Sequence, residues 1–453
     1  MSPDIQYLRL PYLLAPDLFD AIQHLEWPAL LDSGYPDSPS GRFDIAVAAP
    51  QRTLTIQSEA DVEQLSLLAA PRKKITLPST IAHLPFVGGW LGHWSYDAGR
   101  LFETLPVHAN PVTSVPWIRM GDYPWALVTD HDQQVTWLVG HDWPEALAQQ
   151  LQTRSPTPTV AIANSRHTFQ LTQGFQPDFS QADYRERFDQ VMAYIQAGDC
   201  YQINLAQRFS AHYQGNPWTA YLKLRQATPT PFAAYLAQGE QTLLSLSPER
   251  FIELNRTGQL DTRPIKGTAP RSPDPHQDQH ARIALQQSPK DRAENLMIVD
   301  LLRNDLGRVS VPGSVRVPDL FRIESFANVH HLVSTITSQL SPELSALDVL
   351  KACFPGGSIT GAPKVRAMTL IDELEPCQRS AYCGAIGYID VTGRMDFNIA
   401  IRTLIADQGQ LHVWGGGGLV ADSECESEYT ETLNKISRLI QALDPDFDPK
   451  ALA

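Results

Sequence analysis

Short alternating apolar and polar runs, interspersed along the chain with capped amphipathic helices, constrain this sequence more than any other feature. Phe43-Asp44-Ile45-Ala46-Val47 alternates as a half-buried strand does, and Ser245-Leu246-Ser247 and Phe251-Ile252-Glu253-Leu254 are strand-like too. Tyr184 to Ala197 instead places Phe188, Val191, Met192 and Ile195 at helical spacing and stops at Gly198. A second helix is predicted to run to Gly307 from Ser288 as N-cap, with Pro289 at the first helical position, where its missing N–H costs nothing. A third is predicted from Ser423 to about Leu443, opened by a capping box of Ser423 and Glu426 and burying Leu433, Ile436, Leu439 and Leu443. This mixture predicts an α+β fold. No internal repeat is visible.

The 453 residues, 43% of them hydrophobic, suffice for two or three domains with a large core. Gln152 to Gln176 is polar, carries Pro156 and Pro158, and has no period, so it reads as a linker. The expected organisation is an N-terminal domain over 1–150, a linker over 151–178 and a second domain over 179–453. With 36 basic against 50 acidic residues the net charge is −14, which argues against nucleic acid or an anionic membrane surface as partner. Pro11 and Pro16 break the first apolar run and no later stretch is long enough to span a bilayer, so neither signal peptide nor membrane span is expected. Cys200, Cys353, Cys377, Cys383 and Cys425 are odd in number and form no CxxC, which suits reduced thiols in the cytoplasm.

Several constellations suggest chemistry. Glu428, Glu431 and Lys435 share one face of the last helix, and Glu294, beside Asp291, lies in the first turns of the Ser288 helix. Mg²⁺ is usually held by one or two carboxylates while its substrate supplies further oxygens, and Glu294 with Glu431 fits such a half-filled site. Gly356 to Lys364 and Gly415 to Gly418 are plain turns or bulges, or backbone amides that approach an anion; neither matches a nucleotide fingerprint. With Arg402 they form a possible carboxylate clamp. Lys266 is an exposed loop lysine or a nucleophile, and the second reading requires burial or the nearby Arg263 and Arg271 to favour its neutral amine. His331 is a hydrogen-bonded core residue or a neutral donor or base. Glu249 is an ion-pair partner of Arg250 or a general acid.

Seven segments, in this order, resemble the chorismate-utilising enzymes, among them anthranilate synthase component I, aminodeoxychorismate synthase component I, and isochorismate and salicylate synthases. They are Gly198 to Phe209, Ser247 to Phe251, Arg263 to Thr268, Lys290 to Leu296, His331 to Ser334, Pro355 to Lys364 and Gly416 to Lys435. The resemblance implies two β-sheets packed as a sandwich with helices outside. It implies Mg²⁺ on Glu294 and Glu431 with Glu428 nearby. It implies chorismate held by Thr268, Thr360, Tyr388, Arg402, Gly416, Gly417, Gly418 and Lys435, with His331 and Glu249 acting on it. Within the family, a lysine that activates water is replaced here by Gln202, which cannot serve as a base.

Pro264-Ile265-Lys266-Gly267-Thr268 resembles the aminodeoxychorismate synthase pattern, where anthranilate synthases usually carry alanine for the lysine. That implies amination at C4 through a covalent Lys266 intermediate, on the route to 4-aminobenzoate and folate. It also implies ammonia from a separate glutamine amidotransferase subunit. The alternatives are an anthranilate synthase component I and a catalytically silent tryptophan-binding regulator on the same fold. For tryptophan, the resemblance points to a pocket of Leu31, Ser33, Arg42, Phe43, Pro231 and Phe232, with Asp32 where the related element carries glutamate.

Overall fold

The structure, a computed structural model, describes residues 5–38, 41–69, 75–154, 168–326 and 329–452. Among these, one sheet has twelve strands and a second has ten, and every strand pair within them is antiparallel. The two sheets pack as an α+β sandwich around one continuous apolar cluster.

The boundary expected between residues 150 and 179 does not divide these sheets. In the larger one, Ala29–Asp32 pairs with Phe232–Gln238. In the smaller one, Gly89–Trp94 pairs with Ala385–Asp390. Residues 155–167 of the expected linker lie outside the described residues, and Phe169–Pro177 is a strand paired with Gln202–Gly215. Polar composition marks a connection; it carries no information on whether the flanking strands share a sheet.

The expected helices form where local signals are strong. Gln181–Ala197 is capped by Ser180 and ends at Gly198 with φ of +82°. Pro289–Gly307 is capped by the Ser288 hydroxyl, which accepts from the Asp291 N–H at 3.3 Å. The last helix is Cys425–Leu443, and its expected capping box is absent: the Ser423 hydroxyl donates to Glu428 Oε1 at 2.6 Å. Leu433, Ile436 and Leu439 are buried under it, each contributing about 1.5–3 kcal/mol. Gly415 to Gly418, read as a turn, bulge or anion-binding segment, form regular strand within Gln410–Leu419, paired with Gln202–Gly215. A Cβ on Gly415 would stand 2.8 Å from the Thr432 carbonyl oxygen, so glycine is what lets the last helix approach this strand.

Candidate active site

Glu249 and Arg402 sit where the chain passes from one sheet to the other. Gln241–Ser247 belongs to the larger sheet and Arg250–Leu254 to the smaller, with Pro248-Glu249 between them; Ala400 to Arg402 joins Met395–Ile399 to Thr403–Asp407 in the same way. The two crossings are laced together. The Ile399 N–H donates to the Glu249 carbonyl and the Leu246 N–H to the Arg402 carbonyl, each at 3.0 Å. The Ser247 hydroxyl donates to the Ile399 carbonyl at 2.6 Å. These bonds hold Arg402 at φ +52°, a conformation few residues other than glycine adopt.

The Glu249 carboxyl is buried, which pushes its pKa above the ordinary glutamate value, while the Ser358 hydroxyl, Lys266, the Ile265 N–H and Arg402 pull it back. Arg250 is not its partner, because that guanidinium engages Asp396 at 3.0 Å and Glu253 at 3.1 Å. A buried carboxyl whose pKa is raised holds its proton more readily than an exposed glutamate, which is the direction a proton donor to a leaving hydroxyl needs.

Lys266 lies on Ile265–Pro270, where the pairing with Val329–Gln339 shifts register between Ile265 and Thr268 and Gly267 takes φ +85°. Its Nζ donates to the Ser358 carbonyl at 3.3 Å. Burial lowers its pKa, with Lys435 adding to the effect and Glu294, Glu249 and Glu431 opposing it. The arginines expected to favour the neutral amine are engaged elsewhere: Arg263 pairs with Asp261 at 2.9 Å and Arg271 with Asp278 at 2.8 Å. Ser358 thus bonds both Lys266 and Glu249. Its residue was missed because the glycine-rich segment containing it was read for its backbone alone.

His331 accepts from or donates to the Thr268 hydroxyl through Nδ1 at 2.8 Å. Burial, with Arg402 and His330 nearby, lowers its pKa to about 4, so the ring is neutral near pH 7. Thr360 is fully buried and its hydroxyl is spent on the carbonyls of Gly356 at 3.1 Å and Gly357 at 3.4 Å, so it shapes the loop that presents Ser358.

The acidic side of the site carries lysines. Lys435 Nζ pairs with Glu431 at 2.8 Å and donates to the Gly416 carbonyl at 3.0 Å. Lys290 Nζ stands 3.5 Å from Glu428. Burial raises the Glu294 pKa, against Lys266 and Lys290, with Asp291 and Glu428 adding to the rise. Glu431 is lowered; burial works against this, and Lys435 leads the groups that overcome it. Among the described residues no three acidic, histidine or cysteine side chains form a ready cage for an ion. The donor set nevertheless suits a hard dication, which needs only one or two carboxylates when the substrate brings oxygens of its own.

The neighbouring glycines bring the two halves together. A Cβ on Gly418 would lie 2.6 Å from Gln202 Nε2 and 3.6 Å from Lys266 Nζ. One on Gly417 would lie 3.4 Å from Glu428 Oε2 and 3.8 Å from Lys435 Nζ. On the facing strand, the buried Gln202 amide and Asn204 Oδ1 have no hydrogen-bond partner among the described residues, and neither has Thr432 Oγ1 on the last helix. Buried amides are rarely left unpaired, so this wall is built for a polar ligand.

Two cavities flank the crossings. One, of about 240 Å³, is lined by His331, Arg402 and Lys435. The other, of about 320 Å³, is lined by Leu31, Ser33, Arg42, Phe43, Pro231 and Phe232, the six residues expected to share a pocket. Tyr388 lines this second cavity, with Arg394, Asp396 and Ile265, the residue before Lys266. Its strand gives a surface on each face, and sequence alone did not say which face Tyr388 takes.

The family profile described as chorismate binding enzyme matches residues 31–441. The chain belongs to this family. Among the relatives of this chorismate binding enzyme, aminodeoxychorismate synthase component 1 of Escherichia coli is 48% identical over 98% of this chain and 99% of its own length. The protein of the same name from Klebsiella aerogenes is 48% identical over 94% of this chain and 96% of its own. The crystal structure of anthranilate synthase component I from Streptococcus pneumoniae superposes with a TM-score of 0.77 at 31% identity, covering 88% of this chain and 92% of that one.

Proposed function

We propose that this chain aminates chorismate at C4, as component 1 of an aminodeoxychorismate synthase, through a covalent adduct on Lys266. The half-buried Lys266, whose amine donates to the Ser358 carbonyl and has its pKa lowered by desolvation beside Glu249, carries the reading. An anthranilate synthase needs no nucleophilic lysine at this position, and the relatives named for C4 amination are the more similar ones.

In the first half-reaction the neutral Lys266 amine attacks C2, the ring double bond shifts, and the C4 hydroxyl leaves as water with the proton of Glu249. In the second, ammonia attacks C4, the double bond shifts back, and the C2–N bond breaks. Between the two half-reactions the adduct nitrogen passes its extra proton to the Glu249 carboxylate; in the second the ammonia nitrogen loses one proton and the departing Lys266 amine gains one, which restores the neutral amine and the protonated Glu249. Occupation of C2 by Lys266 keeps ammonia from that carbon. Arg402 and Lys435 hold carboxylate, and neutral His331, fixed by Thr268, is placed to donate a hydrogen bond without adding charge.

Glu294, Glu428 and Glu431 would hold Mg²⁺, with Lys290 and Lys435 yielding their carboxylates to it. When bound, the ion supplies charge stabilisation for the ring carboxylate. We further infer that ammonia comes from a separate glutamine amidotransferase component, in keeping with the word component in the relatives' names. The 320 Å³ cavity takes free tryptophan, with Phe43 and Phe232 as apolar walls and Tyr388 at its lining. The described residues contain no helix long and apolar enough to cross a membrane, and five free cysteines favour a cytoplasmic setting.

Lys266→Ala tests the reading. With Mg²⁺, ammonium, chorismate and a coupling lyase, the wild type forms 4-aminobenzoate and mass spectrometry finds a chorismate-derived adduct on the Lys266 peptide. The variant forms no adduct and loses most C4 amination, with part recovered at high ammonia. Formation of 2-aminobenzoate by the wild type without a lyase would sink the assignment.

A further inference from the structure

Among the described residues, one edge of the strand Gln202–Gly215 lacks a partner strand in its middle. It pairs with Gly361–Ala362 at Gln202 and Ile203, and with Phe169–Pro177 from Phe209 onward. Between these points two side chains take the place of a strand. Glu375 Oε1 accepts from the Ala206 N–H at 2.9 Å, and Arg379 Nη2 donates to the Asn204 carbonyl at 2.5 Å. Both residues follow the helix Lys364–Leu374, and they are 4% and 1% exposed. They also bond each other: Arg379 Nε donates to Glu375 Oε2 at 2.9 Å and Nη2 to Oε1 at 2.6 Å.

The same guanidinium reaches the loop that carries Ser358. Arg379 Nη1 donates to the Ile359 carbonyl at 2.9 Å, and beside it the Asn204 N–H donates to the Thr360 carbonyl at 2.8 Å. Ile359 follows Ser358, whose carbonyl accepts from Lys266 and whose side chain hydrogen-bonds Glu249. A buried ion pair is weak evidence for stability, since well-packed apolar residues often do as well. What arginine alone supplies is several donors in one rigid plane, fixed further here by the Tyr96 and Tyr382 rings, 4.8 and 5.9 Å from the guanidinium carbon. Those donors set the distance between strand and loop.

We propose that Arg379 is a positioning residue for the amination: by holding the Asn204 and Ile359 carbonyls, it fixes where Ser358 places Lys266 and Glu249. The proposal rests on the roles of those two residues given above. At 1% exposure Arg379 touches no substrate and acts through Ser358.

Arg379→Lys keeps a cation beside Glu375 and loses the fork. In the coupled assay with chorismate and ammonium, corrected for the folded fraction, kcat is expected to fall about 10²-fold with KM for chorismate within about threefold. The Ser358 side chain holds the Glu249 pKa down, so its displacement raises that pKa and moves the alkaline limb of kcat to higher pH. Hydrogen exchange of the 356–362 segment accelerates about tenfold, while Pro289–Gly307 exchanges as in wild type. In the intact wild type, with no substitution, the Ala206 amide exchanges as slowly as its neighbours in the strand. A kcat and pH profile unchanged per folded molecule, unaltered exchange of the loop, or a fast Ala206 amide overturns the proposal. If the wild type forms no Lys266 adduct, the functional reading falls, while the exchange data still decide whether Arg379 holds the loop.

Discussion

The larger cavity and the surroundings of Lys266 differ in how their charged and polar groups are partnered. Around the larger one, buried ions are matched: Arg225 holds Asp32 at 2.6 Å, Arg250 holds Asp396 at 3.0 Å, and Arg42 holds Asp130 at 3.0 Å. Around Lys266 the rim pairs Lys435 with Glu431 and Lys290 with Glu428, but among the described residues Arg402 has no ion pair, Gln202 and Asn204 are buried with unmatched polar atoms, and the Glu249 pKa is raised. Matched charge is finished structure, whereas unmatched buried charge costs stability until a ligand completes it. The contrast is the one that the proposed division into a chemical site and a binding pocket requires.

The strongest way to break this contrast is Glu249→Gln, which keeps the shape and removes the transferable proton. It is expected to lower kcat for chorismate amination by about 10²–10⁴-fold while leaving the melting temperature close to wild type, by coupled assay and calorimetry. Asp32→Leu should do the opposite. It strands the Arg225 guanidinium and the Tyr221 hydroxyl, which donates to Asp32 at 3.0 Å, and should cost about 3–5 kcal/mol in urea unfolding with kcat little changed.

The third case concerns pH. Burial lowers His331 to about 4, so the unfolded chain, with an ordinary histidine near ~6.5, binds the proton first as pH falls. The stability owed to the neutral ring is full above that unfolded value and is lost as pH falls toward about 4. His331→Gln should therefore lose about 3 kcal/mol less than wild type across this window, read from urea midpoints at each pH. An identical acid profile would show that His331 is not held neutral by burial. The smallest effect is expected for Tyr388→Phe: weaker tryptophan binding by calorimetry, with kcat/KM for chorismate within about twofold of wild type. A large loss of activity would return Tyr388 to the substrate.

What the sequence disclosed follows from the range of the forces involved. Ser288, Pro289 and Gly198 mark helix ends through bonds within a few residues, and their helices begin and end where expected. The resemblance singled out Lys266, but the cause of its lowered pKa was not legible in the sequence. Arg263 and Arg271 are near in sequence yet turned onto Asp261 and Asp278, while burial and Lys435, distant in the chain, set the shift. Ser423 looked like a cap because its spacing to Glu426 was right; the fold instead gave its hydroxyl to Glu428. The domain boundary failed for a similar reason, since pairing of Ala29–Asp32 with Phe232–Gln238 is a long-range event that polar composition does not encode.

Pro248-Glu249 and Ala400 to Arg402 belong to neither sheet, and each is held by bonds to the other. Glu249 and Arg402, the proposed proton donor and anion clamp, are therefore positioned only where both sheets are in place. Whatever loosens one sheet from the other therefore loosens both residues at once.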